Sequence, residues 1–351
     1  MLLKFFVIGF GHIGKRHASI IESLPNAELL VKRGELRGKN EELRGKSEEL
    51  RVKSEELRVK SEKTETLTFS LLPIHSISVV ATPNYIHCQQ AIAEMEAGND
   101  VIIEKPMGLH AAECRLVIET ATRLNRKVFC VMQNRYSPPS QWLKEIIGSG
   151  RLGKIYSVQV NCFWNRSKAY YAQSSWKGKL LEDGGTLFTQ FSHFVDTLLW
   201  LFGDIEPTSA HFWNFNHPEI EFEDSGAFDF NILSGGNGSF HYSTSAYAQN
   251  LESSITILAE HGSIKVGGQY MDQVIACHIR DYEMPELSPT LPPNDYGHYK
   301  GSASNHEYVY RNIIDVLNGK AEIHCTAEEG LRVVETIELV YKFRDLSVLG
   351  K

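Results

Sequence analysis

Gly9-Phe10-Gly11-His12-Ile13-Gly14 has the G-x-G-x-x-G spacing of a loop that cradles a dinucleotide. The first glycine allows a tight turn, the second lets backbone approach a pyrophosphate, and the third lets helix and strand pack closely. The helix that follows would offer free N–H groups and a positive dipole end to the phosphates. An acidic residue about 20 positions further on would select NAD through its ribose hydroxyls. Glu35 stands there, but Lys32 or Arg33 could instead meet a 2′-phosphate, and all three could be solvated charges. The pattern favours NAD and leaves NADP open.

A second set of polar residues is spaced to share one face of a helix. On a helix, Thr186, Thr189, Gln190, Ser192, His193, Asp196 and Thr197 share one arc, opposite Leu187, Phe191, Phe194, Val195, Leu198 and Phe202. A polar stripe on so apolar a helix is either solvated or faces a cavity. Asp196 could hold the His193 imidazole in one tautomer, or pair with it on the helix surface. Lys105 is the candidate base. Beside an oxidised nicotinamide and partly desolvated, its pKa would fall toward neutrality, fitting it to take an alcohol proton. Its other reading is a surface or phosphate-contacting lysine.

The elements that must position these residues alternate. Strands over Leu3–Gly9, Ala27–Val31, Ser76–Ala81, Asp100–Glu104 and Lys127–Met132 are separated by helices over Gly11–Ser23, Asn84–Ala97 and His110–Leu124. That pattern implies right-handed crossovers and a parallel sheet covered on both faces. The fold class is α/β: an N-terminal Rossmann domain with a doubly wound parallel sheet over residues 1–133, then an α+β domain over 134–351 with a large open, mostly antiparallel sheet. In the second domain, strands are expected at Ile155–Trp164, Ser239–Ala248 and Ser253–Ala259, and helices at Thr186–Phe202, Asn305–Leu317 and Ala327–Arg344.

Residues 35–63 interrupt the first domain with a charged heptad repeat in which Leu36, Leu43, Leu50 and Leu57 recur. Each heptad has a single reliable apolar position, so no paired coiled-coil seam forms. A solvated, partly helical insertion without chemistry is expected, with a self-associating arm as the other reading.

The chain's 351 residues amount to about two domains. A net charge of −7 argues against a nucleic acid or an anionic membrane as main partner. Six scattered cysteines without a CxxC pair read as free thiols, and no histidine pair has metal-ligand spacing. No apolar run reaches the ~18–20 residues of a membrane span. The apolar stretch Leu2 to Phe10 is too short for a signal peptide, so a cytoplasmic location is expected.

The chain resembles the Gfo/Idh/MocA oxidoreductases. The glycine loop is followed by Ala81-Thr82-Pro83-Asn84 with His87, by Glu104-Lys105-Pro106, and later by Gly184-Gly185-Thr186-Leu187 with His193 and Asp196. Within the family it is similar to the UDP-N-acetyl-2-amino-2-deoxyglucuronate 3-dehydrogenases. The supporting stretches are Gln133–Pro139, Tyr170–Ser174, Trp176–Gly178 and Gln190–Gly203.

The resemblance implies hydride transfer between a sugar carbinol, such as C3 of UDP-N-acetylglucosaminuronate, and a nicotinamide. Cofactor contacts would come from Gly9, Gly11, His12, Ile13, Gly14, Glu35, Thr82, Pro83, Asn84, His87, Glu104, Lys105, Pro106, Gln133, Trp176 and Lys177. Substrate contacts would come from Lys105, Arg135, Tyr136, Arg166, Tyr171, Thr189, Gln190 and His193, though Arg135, Arg166 and the aromatics could equally be packing residues. Lys105 would be the base and His193 would hydrogen-bond the reacting hydroxyl. A homodimer or homotetramer through the C-terminal sheet is also implied.

Two positions depart from the family pattern. Asp183 stands at the first position of a frequent triple glycine, and Thr189 stands four before His193, where relatives often carry Asp or Asn. Threonine can hydrogen-bond a hydroxyl but is a poor base. The alternative functions are a redox-neutral glycoside hydrolase using bound NAD and a non-catalytic nicotinamide- or sugar-sensing protein.

Overall fold

A computed structural model describes residues 2–25, 27–32, 74–295 and 300–349. The heptad repeat, Arg33 and Glu35 lie outside the described residues.

Among the described residues, the first sheet has five parallel strands: β1 (Leu2–Ile8), β2 (Ala27–Lys32), β3 (Ile74–Val80), β4 (Asp100–Ile103) and β5 (Val128–Cys130), ordered β2-β1-β3-β4-β5. Helices α1 (His12–Ser23), α2 (His87–Glu96) and α3 (Ala111–Leu124) connect them. One face buries Phe5, Val7, Ile77 and Phe129 against Ile21 of α1. The other buries Val80, Val101 and Ile103 against Cys88, Ala91 and Val117 of α2 and α3. This is the doubly wound layer the alternation implies. β1 and β3 flank the point where strand order reverses, and open α/β sheets bind ligands beyond the carboxyl ends of strands there.

The second sheet has seven strands among the described residues: β6 (Ile155–Phe163), β7 (Ile205–Trp213), β8 (Ser225–Ile232), β9 (Asn237–Ser243), β10 (Glu252–Ala259), β11 (Gly262–Gly267) and β12 (Gln273–Ile279). Their order is β12-β11-β10-β6-β9-β8-β7, antiparallel except for the β6–β9 pair. Helices α4 (Pro138–Gly148) and α7 (Ser192–Phe202) pack on its inner face, with short α5 (Lys168–Ala172) and α6 (Leu180–Asp183) before α7.

The chain then returns. Tyr310 and Ile313 of α8 (His306–Leu317) join the core of the first sheet, and α9 (Ala327–Leu349) packs against α3, α7 and β7. The 306–317 helix therefore belongs by packing to the first layer, although it follows residue 133. Among the described residues, no helix is long and apolar enough to cross a membrane.

The expected helix over Thr186–Phe202 is not uniform. Residues Leu187–Phe191 form a π turn, and regular α-helix begins at Ser192. Such single wide turns gather at functional sites because they re-aim side chains within an otherwise regular helix. Nor is the polar stripe solvated. Thr186, Gln190, Ser192, His193, Asp196 and Thr197 are all buried.

Candidate active site

The glycine loop has the shape its spacing predicts. Gly9 turns at φ +87°, where a Cβ would come 2.5 Å from the Ala81 carbonyl oxygen. A Cβ on Gly14 would collide with the Gly9 carbonyl, so α1 approaches β1 closely only because residue 14 has none. Gly11 caps α1 without a side chain and faces open space, with exposed His12 and half-buried Ile13 opening the helix. An open floor of backbone N–H groups at a helix N-terminus fits a pyrophosphate. Lys32 ends β2, and the candidates for ribose selection that follow, Arg33 and Glu35, lie outside the described residues.

The loops after β3 and β4 form the next wall. Asn84 donates to the Thr189 hydroxyl at 2.8 Å and to the Asp183 carbonyl at 3.0 Å, tying the first domain to the turn before α7. Thr82 donates to Gln90 Oε1 at 2.6 Å. His87, expected at the cofactor, is buried between the two loops. Its ring nitrogens lie 2.8 Å from the carbonyls of Pro106 and Thr82, so it clamps the two loops together, and burial lowers its pKa.

Glu104 is likewise corrected. Its carboxylate turns inward, 2.9 Å from His17 Nε2, with His306 Nε2 at 3.6 Å and the Lys105 N–H donating at 3.1 Å. Burial would raise its pKa, but His17 and His306 hold it well below the usual range. It supports the loop rather than lining the cleft.

Lys105, next on that loop, is half-buried and turns toward the second domain. Its Nζ donates to the Thr189 carbonyl at 2.6 Å, and burial lowers its pKa to about 8, with Glu104 and Asp183 opposing and Arg166 assisting. His193 is buried, and its pKa is held well below the usual value by burial and then by the Lys105 charge. The Gln133 side-chain amide nitrogen lies 3.2 Å from His193 Nε2, which as an acceptor leaves the ring proton on Nδ1. That Nδ1 has no hydrogen-bond partner among the described residues. A neutral imidazole with an uncommitted N–H beside a base of lowered pKa can bind an alcohol oxygen while the base takes its proton.

The remaining wall comes from the second domain. Arg166, buried after β6, donates to Gln190 Oε1 at 2.7 Å, while Gln190 donates to Tyr170 Oη at 2.7 Å. The Lys177 ammonium lies 3.9 Å above the Tyr170 ring, and burial lowers its pKa to about 8. Trp176 is half-buried on the same turn, and buried Tyr171 packs edge-on to Tyr170 and His217.

Three further expectations are corrected. Arg135 does not reach for a substrate anion. Its buried fork meets Asp196 through Nε at 2.8 Å and Nη2 at 2.6 Å, and Nη1 meets Glu329 at 2.9 Å. A buried guanidinium needs such partners, because desolvation is otherwise prohibitive. Asp196 is therefore Arg135's partner and does not orient His193; Gln133 does. Tyr136 stacks on Tyr308 at 6.0 Å and packs on His324 at 4.6 Å, half-buried against the core of the first sheet.

Asp183 is the residue sequence reasoning passed over. Its carboxylate accepts from the Gly178 N–H at 2.7 Å and from the Thr189 hydroxyl. Burial pushes it up to about 6, against the hydrogen bonds from Thr189 and Gly178 and the charges of Lys177 and Lys105. The signal was present: an acidic residue where the family pattern has glycine, six positions before a threonine where it often has a carboxylate or amide.

Residues 3–132 match the model of the oxidoreductase family with an NAD-binding Rossmann fold, and residues 140–265 match the GFO/IDH/MocA C-terminal domain. The chain belongs to the Gfo/Idh/MocA oxidoreductase family, and residues 3–132 are that family's NAD-binding domain. The WlbA dehydrogenase of Bordetella pertussis, solved with NADH and UDP-GlcNAcA, is similar at 29% identity and a TM-score of 0.77, covering 98% of this chain and 96% of that one. An uncharacterized oxidoreductase of Synechocystis is 31% identical over 140 residues, 38% of this chain and 36% of its own length. The scyllo-inositol 2-dehydrogenase (NADP(+)) IolW of Bacillus subtilis is 25% identical over 285 residues, 76% of each chain. The chain thus spans little more than a third of the Synechocystis relative.

Proposed function

We propose that the chain is a nicotinamide-dependent dehydrogenase that oxidises a secondary hydroxyl, at C3, of a sugar nucleotide such as UDP-N-acetylglucosaminuronate. The observation that carries this reading is Lys105, of lowered pKa and bonded to the Thr189 carbonyl, with neutral His193 close enough to feel its charge. The Bordetella neighbour, which holds NADH and UDP-GlcNAcA, supports the substrate class.

NAD, when bound on the glycine loop, supplies the hydride acceptor. The rest falls to the chain's own residues. His193 Nδ1–H donates to the hydroxyl oxygen, and the free amine of Lys105 takes the hydroxyl proton, releasing it to water afterwards. Lys177 and Arg166 supply positive charge for an anionic sugar substituent. Self-association through the open face of the seven-stranded sheet belongs to the same reading, supported by Tyr156, Leu258 and Ile275, which are 51%, 48% and 53% exposed. Sedimentation of the full chain measures it.

The test is reduced-nicotinamide absorbance after adding UDP-N-acetylglucosaminuronate to the full chain with NAD, then with NADP. A rise with NAD that disappears in Lys105→Met is expected. No rise, with cofactor bound, overturns the substrate assignment.

A further inference from the structure

Asp183 bridges the first domain and the turns before α7, and none of the roles proposed above uses it. It is 1% exposed. One carboxylate oxygen accepts from the Gly178 N–H at 2.7 Å and the other from the Thr189 hydroxyl, while its main-chain carbonyl accepts from Asn84 at 3.0 Å. One residue thus joins the turn carrying Lys177, the loop after β3 and the π turn before α7. Thr189 in turn offers its carbonyl to Lys105 Nζ at 2.6 Å.

A buried carboxylate has about four acceptor sites, and two hydrogen bonds leave it under-compensated unless positive charge is near. Lys105 and Lys177 are the cations that face it. Seen from Lys105, the charged and titratable groups are Glu104, Arg166, Asp183 and the two imidazoles His87 and His193, whose pKa values burial lowers. Of the two carboxylates, Glu104 is engaged with His17 and His306 on the far side of its loop. Asp183 adds a second negative charge, after that of Glu104, to the groups around Lys105. Threonine at 189 removes any carboxylate from that position, and Asp183 returns one to its hydroxyl.

On the dehydrogenase reading, we propose that Asp183 is a positioning residue of the reaction, holding the Thr189 turn whose carbonyl receives Lys105 and adding its negative charge to that of Glu104 around the lysine. Asp183 takes no proton from substrate. A negative charge favours the ammonium, so its loss makes Lys105 shed its proton at lower pH.

The test is the pH profile of kcat/KM, with kcat and cofactor affinity, for the full chain and three variants. Asp183→Asn keeps an acceptor for the Gly178 N–H but loses the charge. Its acid limb is expected to move down by about half a unit or more, with kcat reduced about tenfold or more and NAD affinity unchanged. Thr189→Val keeps the charge and cuts the link, so kcat falls while the limb stays. Asp183→Asn combined with Thr189→Asp restores a carboxylate beside the turn, and its limb returns toward the wild-type position.

An Asp183→Asn limb that does not move overturns the proposal, whatever happens to stability. If that variant does not fold, wild-type kcat in Thr189→Val overturns it instead. A wild-type chain that turns over no UDP-sugar, with NAD bound, overturns the substrate assignment on which this test of the role rests. That outcome differs from an active enzyme whose limb is indifferent to residue 183.

Discussion

The ammonium of Lys105, just past the end of β4, donates to the main-chain carbonyl of Thr189, in the π turn before α7, at 2.6 Å. The bond crosses between the two domains and fixes the position of the lysine. If Lys105 is the base, Lys105→Met should lower turnover by about 10²–10⁴-fold. NADH binding, followed by fluorescence titration, should remain, because the glycine loop is untouched. A variant retaining turnover within a few-fold would remove Lys105 from the mechanism.

The pH dependence of alcohol oxidation follows from the same residue. Burial lowers the Lys105 pKa to about 8, so the amine that accepts a proton is the major form above that pH. Below it, kcat/KM should fall about tenfold per pH unit, and above it the profile should level off. A profile flat from pH 6 to 9 (on the order of the range in which such groups titrate) would contradict this.

His193 should leave no limb near its ordinary pKa, since burial and the Lys105 charge hold it well below that value. His193→Ala is expected to lower kcat about 10²-fold while the Lys105 limb remains in place. Parallel pH–rate profiles for wild type and variant give the check.

The Arg135–Asp196 pair is a stability element. Removing one partner leaves the other charge buried and unpaired, so Asp196→Ala should cost about 3–5 kcal/mol in urea unfolding. The surviving folded protein should keep its KM for the sugar nucleotide. A large rise in KM at unchanged stability would return Arg135 to the substrate site.

Gly14→Ala places a methyl group against the Gly9 carbonyl. Helix α1 must then shift away from β1 and spoil the phosphate floor. NADH affinity should fall at least about tenfold, roughly 1.4 kcal/mol, and the melting temperature should drop with it. Gly11→Ala, which meets no protein atom, should disturb stability far less, so the pair separates packing from ligand approach.

The sequence by itself determined the layers, because strand and helix periodicities depend on local spacing. Runs such as Val101–Ile103 can only be buried strand, and the spacing of Gly9, Gly11 and Gly14 demands its turn through the absence of Cβ atoms. It also marked Lys105, Thr189 and His193 as candidates. Partner choice was decided only by tertiary structure. Asp196 lies one helical turn from His193, yet it binds Arg135, which arrives from the segment after β5. His87 and Glu104 carry cofactor-motif positions but face inward, toward loop carbonyls and toward two histidines distant in the chain. Asp183, six residues from Thr189 along the chain, meets its side chain because Gly184 and Gly185, at φ +90° and +120°, reverse the backbone between them. Such pairings depend on which buried charges lack partners once the domains close. That is a global electrostatic condition, and no local spacing encodes it.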